Sequence, residues 1–348
     1  VTDFLLFVVV LGTLILGHEL GHFLVAKWRG VKIEEFGIGF PPRLATLFTA
    51  GDTEYTLNWI PFGGFVRPAG ENDPEVPNGL AASSKLTRTL VLFAGPAANI
   101  ILAFVAFLFA FKFAAPDVDR VLITDVVQGS PAQAAGIQPG DIVEEAGNVE
   151  VDSFESLQTV IGDSLGKPLG LLLSRDGELI DIQLVPRVDF PEGQGPIGVT
   201  LGFPPDNLGW IQSAGFSLES IRTQVMAILQ LPGRIMSGAA TEQETRVAGL
   251  KGIHDMIAWA SDIDQSAQRP FFTLNIVGVI SVGLAIANML PIPALDGGRL
   301  LFVLIEAIIG HRISPRLEGL AHAIGFLLLL MLMVYFNLQD FLNPIELP

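Results

Sequence analysis

Four apolar runs organise the chain. Residues 4–26 supply about the twenty residues that a bilayer-crossing helix needs, and His18, Glu19 and His22 interrupt the second half of that run. Lys27, Arg29 and Lys32 follow at once. A cleavable signal peptide places its basic residues ahead of the apolar run, so the order predicts a retained helix whose C-terminal end faces the cytoplasm. Residues 90–114 form the second run. It contains the small cluster Gly95, Pro96, Ala97 and Ala98, which lets another helix approach closely, and Asn99, which needs a partner inside a bilayer. Residues 271–290 form the third and lead into PIPALDGG, where Pro291 and Pro293 interrupt regular helix. Residues 300–309 are apolar but short for a span. Residues 320–336 form the fourth run, which its neighbours extend to spanning length.

The segments between the runs differ in character. Residues 30–88 are rich in glycine, aromatics and β-formers around FGIGFPP (36–42) and TEYTLNWIPFGGFVRPAG (53–70), which predicts short hairpin strands. TLNWIPFGGFV is too apolar for an ordinary cytoplasmic loop, and it can dip into a membrane only where protein or a cavity shields its backbone. Residues 119–187 read strand, short helix, strand, helix, strand, turn, strand. Gly140-Asp141 and Asp176-Gly177 mark turns. Residues 188–214 are a glycine- and proline-rich connection with a strand at IGVTLGF (197–203). Residues 215–236 carry apolar side chains at helical spacing and predict an amphipathic helix on the membrane or against the domain. Residues 240–270 are polar and acidic, with a short helix around GIHDMIAWA.

Charge sharpens this division. The 348 residues carry a net charge of -16, and half are hydrophobic against only 16% charged, where soluble domains hold about 25%. Residues 113–270 hold 22 Asp and Glu against 9 Lys and Arg, and the remainder holds 14 against 11. A water-facing acidic region is therefore inserted between apolar halves. Nucleic acid, which needs a basic face, is excluded as a partner, and so are global disorder and, without cysteine, a disulfide scaffold. Residues 27–88 hold seven Lys and Arg, and Arg299, Arg312 and Arg316 add to the basic side. By the positive-inside rule, both termini and the acidic domain lie outside. The fold expected is a multi-pass α-helical membrane protein of about four spans. It has a membrane-associated β-hairpin region and an inserted extracytoplasmic α+β domain. Its expected boundaries are 1–114 for an N-terminal membrane core, 119–187 for the inserted domain, 188–270 for a connector and 271–348 for a C-terminal membrane core.

HELGH at 18–22 fits H-E-x-x-H. On a helix His18 and His22 share one face and reach one zinc, and Glu19 can take a proton from water bound there. A bland alternative, two histidines packed at a helix end, is weak because three ionisable residues inside a span are costly. A catalytic zinc needs a third protein ligand and an open position. His254, His311, His322, Glu306 and Asp296 are the candidates. Asp296 is favoured because proline and glycine break the membrane segment there and let a side chain turn inward. A turn aspartate before Gly297-Gly298 is its ordinary alternative.

HELGH in the first run, GPAAN (95–99) in the second and NMLPIPALDGG (288–298) after the third together resemble the site-2 protease family of intramembrane zinc metalloproteases. The similarity is to the bacterial branch with a PDZ domain (regulator of sigma-E protease-like) and covers residues 4–336. The resemblance implies that Zn2+ is held by His18, His22 and Asp296, with Glu19 catalytic. It implies that Asn288, with Pro291 and Pro293, positions unwound substrate. It makes residues 53–68, with Gly63 and Gly64, a re-entrant β-loop offering an edge to a substrate strand. Gly95, Pro96 and Asn99 become a helix-packing patch. SPAQAAGIQPGDIV (130–143) resembles a PDZ domain, which binds a C-terminus or extended peptide, or filters substrates by size. The implied partners are single-span membrane proteins, such as anti-sigma factors and remnant signal peptides, and the lipid bilayer. The implied location is the bacterial cytoplasmic (inner) membrane, with the active site toward the cytoplasmic side. The chain departs from the family at VAGLKGI (247–253), which lacks the proline of a G-P-V-G-I-like element, and it has one PDZ-like region where relatives can carry two. Two rivals remain at this stage. One is a non-catalytic membrane PDZ receptor or scaffold with a structural metal site; the other is a metal transporter.

Overall fold

A computed structural model describes residues 2–191 and 193–345. The chain divides into two compact units, one made of residues 1–111 and 210–348, the other of 112–209. The first opens with α1 (Thr2–Trp28), β1 (Ile33–Ala50), β2 (Thr53–Pro68) and α2 (Lys85–Phe113). The sequence predicts short strands here, but the chain makes two long ones, each bent. The first half of β1 pairs with both halves of β2, as Ile38 does with Leu57 and with Gly64. The second half of β1 pairs with the first half of β2 alone, as Arg43 does with Asn58. The result is an antiparallel sheet of four segments whose outer edge, residues 64–68, lies against α1. Gly64 permits this contact: a Cβ there would sit 2.6 Å from Leu16 Cδ2 and 2.7 Å from the Gly37 carbonyl oxygen.

The second unit is an antiparallel sheet with short helices. It comprises β3 (Val121–Val126), α3 (Pro131–Ala134), β4 (Ile142–Ala146), β5 (Val149–Glu150), α4 (Phe154–Asp163), β6 (Leu169–Arg175), β7 (Glu178–Leu184) and β8 (Val199–Gly202). The strand order is β7-β6-β4-β3-β8, with β5 beside β4, so the sheet takes in the strand expected at 197–203. Ser130 caps α3, and Ser153 and Ser156 close a capping box on α4, satisfying amides that helix starts leave unpaired. Val121, Ile123, Val143, Leu157, Leu171 and Leu173 lie in its apolar core.

Asp141, at the turn before β4, is fully buried and accepts both Nε–H and Nη2–H of Arg175 at 2.6 and 2.7 Å, and the Gln138 amide at 2.8 Å. Burial alone raises its carboxyl pKa, but the guanidinium fork and that amide outweigh burial and hold it below the ordinary carboxylate value. A lowered folded-state pKa contributes stability that is present above the unfolded value of about 3.9 and lost as pH falls through the folded one. Arg175→Met strands the Asp141 carboxylate without its guanidinium partner and is expected to lower stability at neutral pH. Unfolding followed by circular dichroism should show this deficit shrinking below pH 4; a deficit independent of pH would contradict it.

The first unit resumes with α5 (Trp210–Met236), α6 (Glu242–Thr245), α7 (Leu250–Ala267), α8 (Phe271–Met289), α9 (Asp296–Ile309) and α10 (Pro315–Leu342). Helices α1, α2, α8 and α10 are long and apolar enough to cross a membrane, matching the four apolar runs. The helix around GIHDMIAWA is longer than expected and packs inward: Ile257 is buried with Phe7, Val10, Leu11 and Leu14 of α1 and Ile280 of α8. Its start, in the segment that lacks the family's proline, is held by Asp340 of α10, which accepts the Gly249 and Gly252 amides at 2.7 and 2.9 Å. Asp264 likewise accepts the Phe272 and Thr273 amides at the start of α8.

Candidate metal centre

His18 and His22 lie one turn apart on α1, their rings edge to face with centroids 4.8 Å apart. Asp296 begins α9. Its Oδ2 lies 3.0 Å from His18 Nε2 and 3.2 Å from His22 Nε2, and the two Nε2 atoms are 3.1 Å apart. Three donors separated by 278 positions of sequence thus converge on one triangle. Among the described residues this is the group of three metal-ligating side chains whose donors lie within 4.8 Å of one another.

The triangle fits zinc. A tetrahedral ion with ligands at 2.0–2.1 Å separates its donors by about 3.3 Å, within a few tenths of these edges. The far ring nitrogens are engaged by α2. His22 Nδ1–H donates to the Val91 carbonyl at 2.7 Å, which leaves the Nε2 lone pair facing the triangle. His18 Nδ1 lies 3.3 Å from the amide of buried Asn99, whose Oδ1 has no partner among the described residues. Turning that amide by half a rotation presents the oxygen to Nδ1–H and gives His18 the same tautomer. Asn99 is itself held, since its backbone carbonyl accepts Ser281 Oγ–H of α8 at 2.7 Å. The triangle borders a cleft of about 230 Å³, which leaves room for a fourth ligand.

Glu19 stands outside the triangle and lines the cleft. Its Oε2 accepts the Val66 amide of β2 at 3.1 Å, so the sheet edge and the carboxylate share one wall. Phe65, Val66 and Pro68 of β2 line the cleft, as do Asn288, Ala294 and Arg299. Asn288 donates its amide to the Leu284 carbonyl of its own helix at 3.0 Å. Pro291 is exposed and Pro293 half-buried. Gly63 and Gly64 lie just before the cleft-lining part of β2, against α1.

Gly95, read in sequence as helix packing, lies directly beneath the histidines. A Cβ there would sit 2.7 Å from His18 Nε2 and closer still to His22 Nε2. Pro96 is buried within α2, where it lacks the N–H that would bond the Leu92 carbonyl. Sequence reasoning missed the ion pair of Arg299 with Glu71 at the cleft, because nothing local links residues 228 apart.

The other candidate ligands lie elsewhere. Glu306 pairs with Arg88 at the start of α2 and lies 3.7 Å from Arg312. His254 faces Asp255 and the Phe7 ring, and His311 is exposed. His322 accepts the Ala294 amide.

The sequence profile of Peptidase family M50 matches residues 6–332. Zinc metalloprotease RasP of Oceanobacillus iheyensis is 28% identical, over 97% of this chain and 98% of its own length. The protein of the same name from Geobacillus kaustophilus is 27% identical over 96% of both chains. A Clostridium acetobutylicum relative, provisionally named a zinc metalloprotease, is 31% identical over 97% of each.

Proposed function

The chain belongs to peptidase family M50, the site-2 proteases, and is a zinc metalloprotease; from that premise we propose that it cleaves single-span membrane proteins within or beside their transmembrane segments. The observation that carries this reading is the triangle of His18, His22 and Asp296 built on helices α1 and α9, with Glu19 beside it. His18, His22 and Asp296 would hold the ion. Zinc bound there supplies Lewis acidity that polarises the scissile carbonyl and makes a water easier to deprotonate.

The chain's own groups do the rest. Glu19 takes the proton from the attacking water, the carbon–oxygen bond forms, the carbon–nitrogen bond breaks, and Glu19 returns the proton to the departing amine. A helical substrate hides its amides, so it must be unwound first. The edge of β2 at 64–68 lines the cleft, and an extended substrate pairs with it as an added strand; Asn288, which lines the same cleft, orients that strand. Pro291 and Pro293 shape the loop that carries Asp296, and Gly63 and Gly64 let the sheet edge lie close to α1.

The unit at 112–209 is read as a PDZ domain on the outer face that screens substrates, admitting those already trimmed of a bulky outer domain. Anti-sigma factors and remnant signal peptides are substrates of that kind. The basic loops favour a site toward the cytoplasmic side of a bacterial inner membrane, with both termini outside.

The test is a single-span reporter incubated with the purified chain in detergent. Cleavage is expected to stop when a chelator removes the metal and to return when zinc is restored. A reporter cleaved equally well before and after chelation would overturn the reading. Reporters with and without a folded outer domain test the screen, and reconstitution in vesicles is expected to favour the trimmed one by on the order of 10-fold or more, the scale of one or two kcal/mol of discrimination.

A further inference from the structure

Residues 290–295 connect α8 to α9 and deliver Asp296. Pro291 and Pro293 have no amide proton. Ile292 and Leu295 bond within the turn, to the carbonyls of Leu290 and Ile292. Ala294 donates outside it, to His322 Nδ1 of α10 at 2.8 Å. Ala294 also has φ +81°, a left-handed conformation in which its Cβ crowds the following carbonyl, so it is disfavoured for any residue but glycine. A strained residue two positions before a ligand persists only when its surroundings hold it there.

The surroundings come from one face of α10. The His322 ring packs on Phe302 of α9 with centroids 5.4 Å apart. Since Nδ1 accepts, the ring proton sits on Nε2, which faces Glu318 Oε1 at 4.0 Å. One turn on, Gly325 brings the helix backbone against the Pro293 carbonyl, and a Cβ there would lie 2.6 Å from that carbonyl carbon. His322 and Gly325 thus seat Pro293 and Ala294 from below.

We propose that His322 is a positioning residue for Asp296: it holds Ala294 in its left-handed conformation and so sets where the carboxylate meets the two histidines. The inference rests on the reading of Asp296 as a zinc ligand. It assigns His322 no contact with metal or substrate.

Zinc affinity of the purified full chain in detergent, measured by competition with a chelating dye, tests this without reference to turnover. His322→Phe keeps a ring and removes the acceptor. It is expected to weaken zinc binding roughly 30-fold, within the 10–100-fold range of lost outer-shell support. His322→Gln retains an acceptor and should stay within about threefold of wild type, a free-energy change below 1 kcal/mol. Adding Ala294→Gly to His322→Phe should recover most of the loss, because glycine adopts the left-handed turn unaided. A merely structural role for the ring would not respond to that second change.

Wild-type affinity in His322→Phe, or no recovery with Ala294→Gly, overturns the proposal. If His322→Phe does not fold, His322→Gln and His322→Met replace it, and equal affinities in that pair overturn it. Asp296→Asn separates the two levels. If it loses zinc while His322→Phe does not, only the positioning role fails. If it binds zinc as wild type does, the ligand reading fails and takes this inference with it.

Discussion

Glu19→Gln is expected to abolish cleavage of a single-span substrate while leaving zinc binding intact. Both halves follow from where the side chain sits. Its carboxylate stands outside the triangle of His18, His22 and Asp296 and is engaged instead by the Val66 amide at 3.1 Å. A glutamine has nearly the same shape, and its carbonyl oxygen still accepts that amide, so the wall between helix and sheet edge survives. What the substitution removes is basicity: an amide oxygen cannot take a proton from water at neutral pH and return it to a leaving amine. Removal of a general acid–base typically costs 10²–10⁴-fold, and both proton transfers rest on this one residue, so a loss near the upper figure is expected. The measurement pairs single-turnover cleavage of a reporter with zinc content in the same preparation. Turnover within tenfold of wild type would remove Glu19 from the chemistry. Lost zinc would show instead that Glu19 helps to build the metal site.

Much of this arrangement could be read from residue order, and the parts that could not share a cause. The four apolar runs report on burial in lipid, a property each segment carries by itself, and the helices α1, α2, α8 and α10 follow them closely. HELGH encodes its geometry locally, since a spacing of four on a helix already puts two imidazoles on one face. Asp296 could be favoured over other carboxylates because proline and glycine mark a break in a membrane segment. What stays hidden is whatever depends on a distant backbone. The register shifts that let the first half of β1 pair with both halves of β2 depend on residues far along the chain, so alternation alone predicts shorter strands. Glu306 remains a candidate ligand in the sequence, where nothing near it pairs with its charge, and only the fold brings Arg88 from another helix to it. His322 offers no signal for its contact with Ala294, because the partner is a main-chain amide, which every non-proline residue has. VAGLKGI departs from its family by lacking a proline, and nothing in the sequence shows that a carboxylate from α10 holds the Gly249 and Gly252 amides there.

Gly95 carries the second large expectation, because two readings of it predict opposite results. A small residue in a spanning helix ordinarily serves close helix packing. In that role Gly95→Ala lowers stability and leaves the metal site alone. The geometry assigns it differently: the added methyl would press on Nε2 of both histidines, the very atoms that face Asp296. The rings cannot step aside freely, since Val91 holds His22 and Asn99 flanks His18 from the same helix. Zinc affinity is therefore expected to fall on the order of 100-fold, the upper range for lost support of metal ligands, and cleavage with it. Alanine favours the helix over glycine by up to about 1 kcal/mol, so thermal stability should change little. Gly278→Ala is the matched comparison. There the three atoms nearest the methyl all belong to the Phe107 ring, the first at 2.6 Å, so that variant should lose stability and keep its zinc. Chelator competition and thermal unfolding on both proteins decide between the readings. If Gly95→Ala unfolds earlier yet binds zinc like wild type, the glycine is a packing residue, and the space beneath the histidines has no part in building the site.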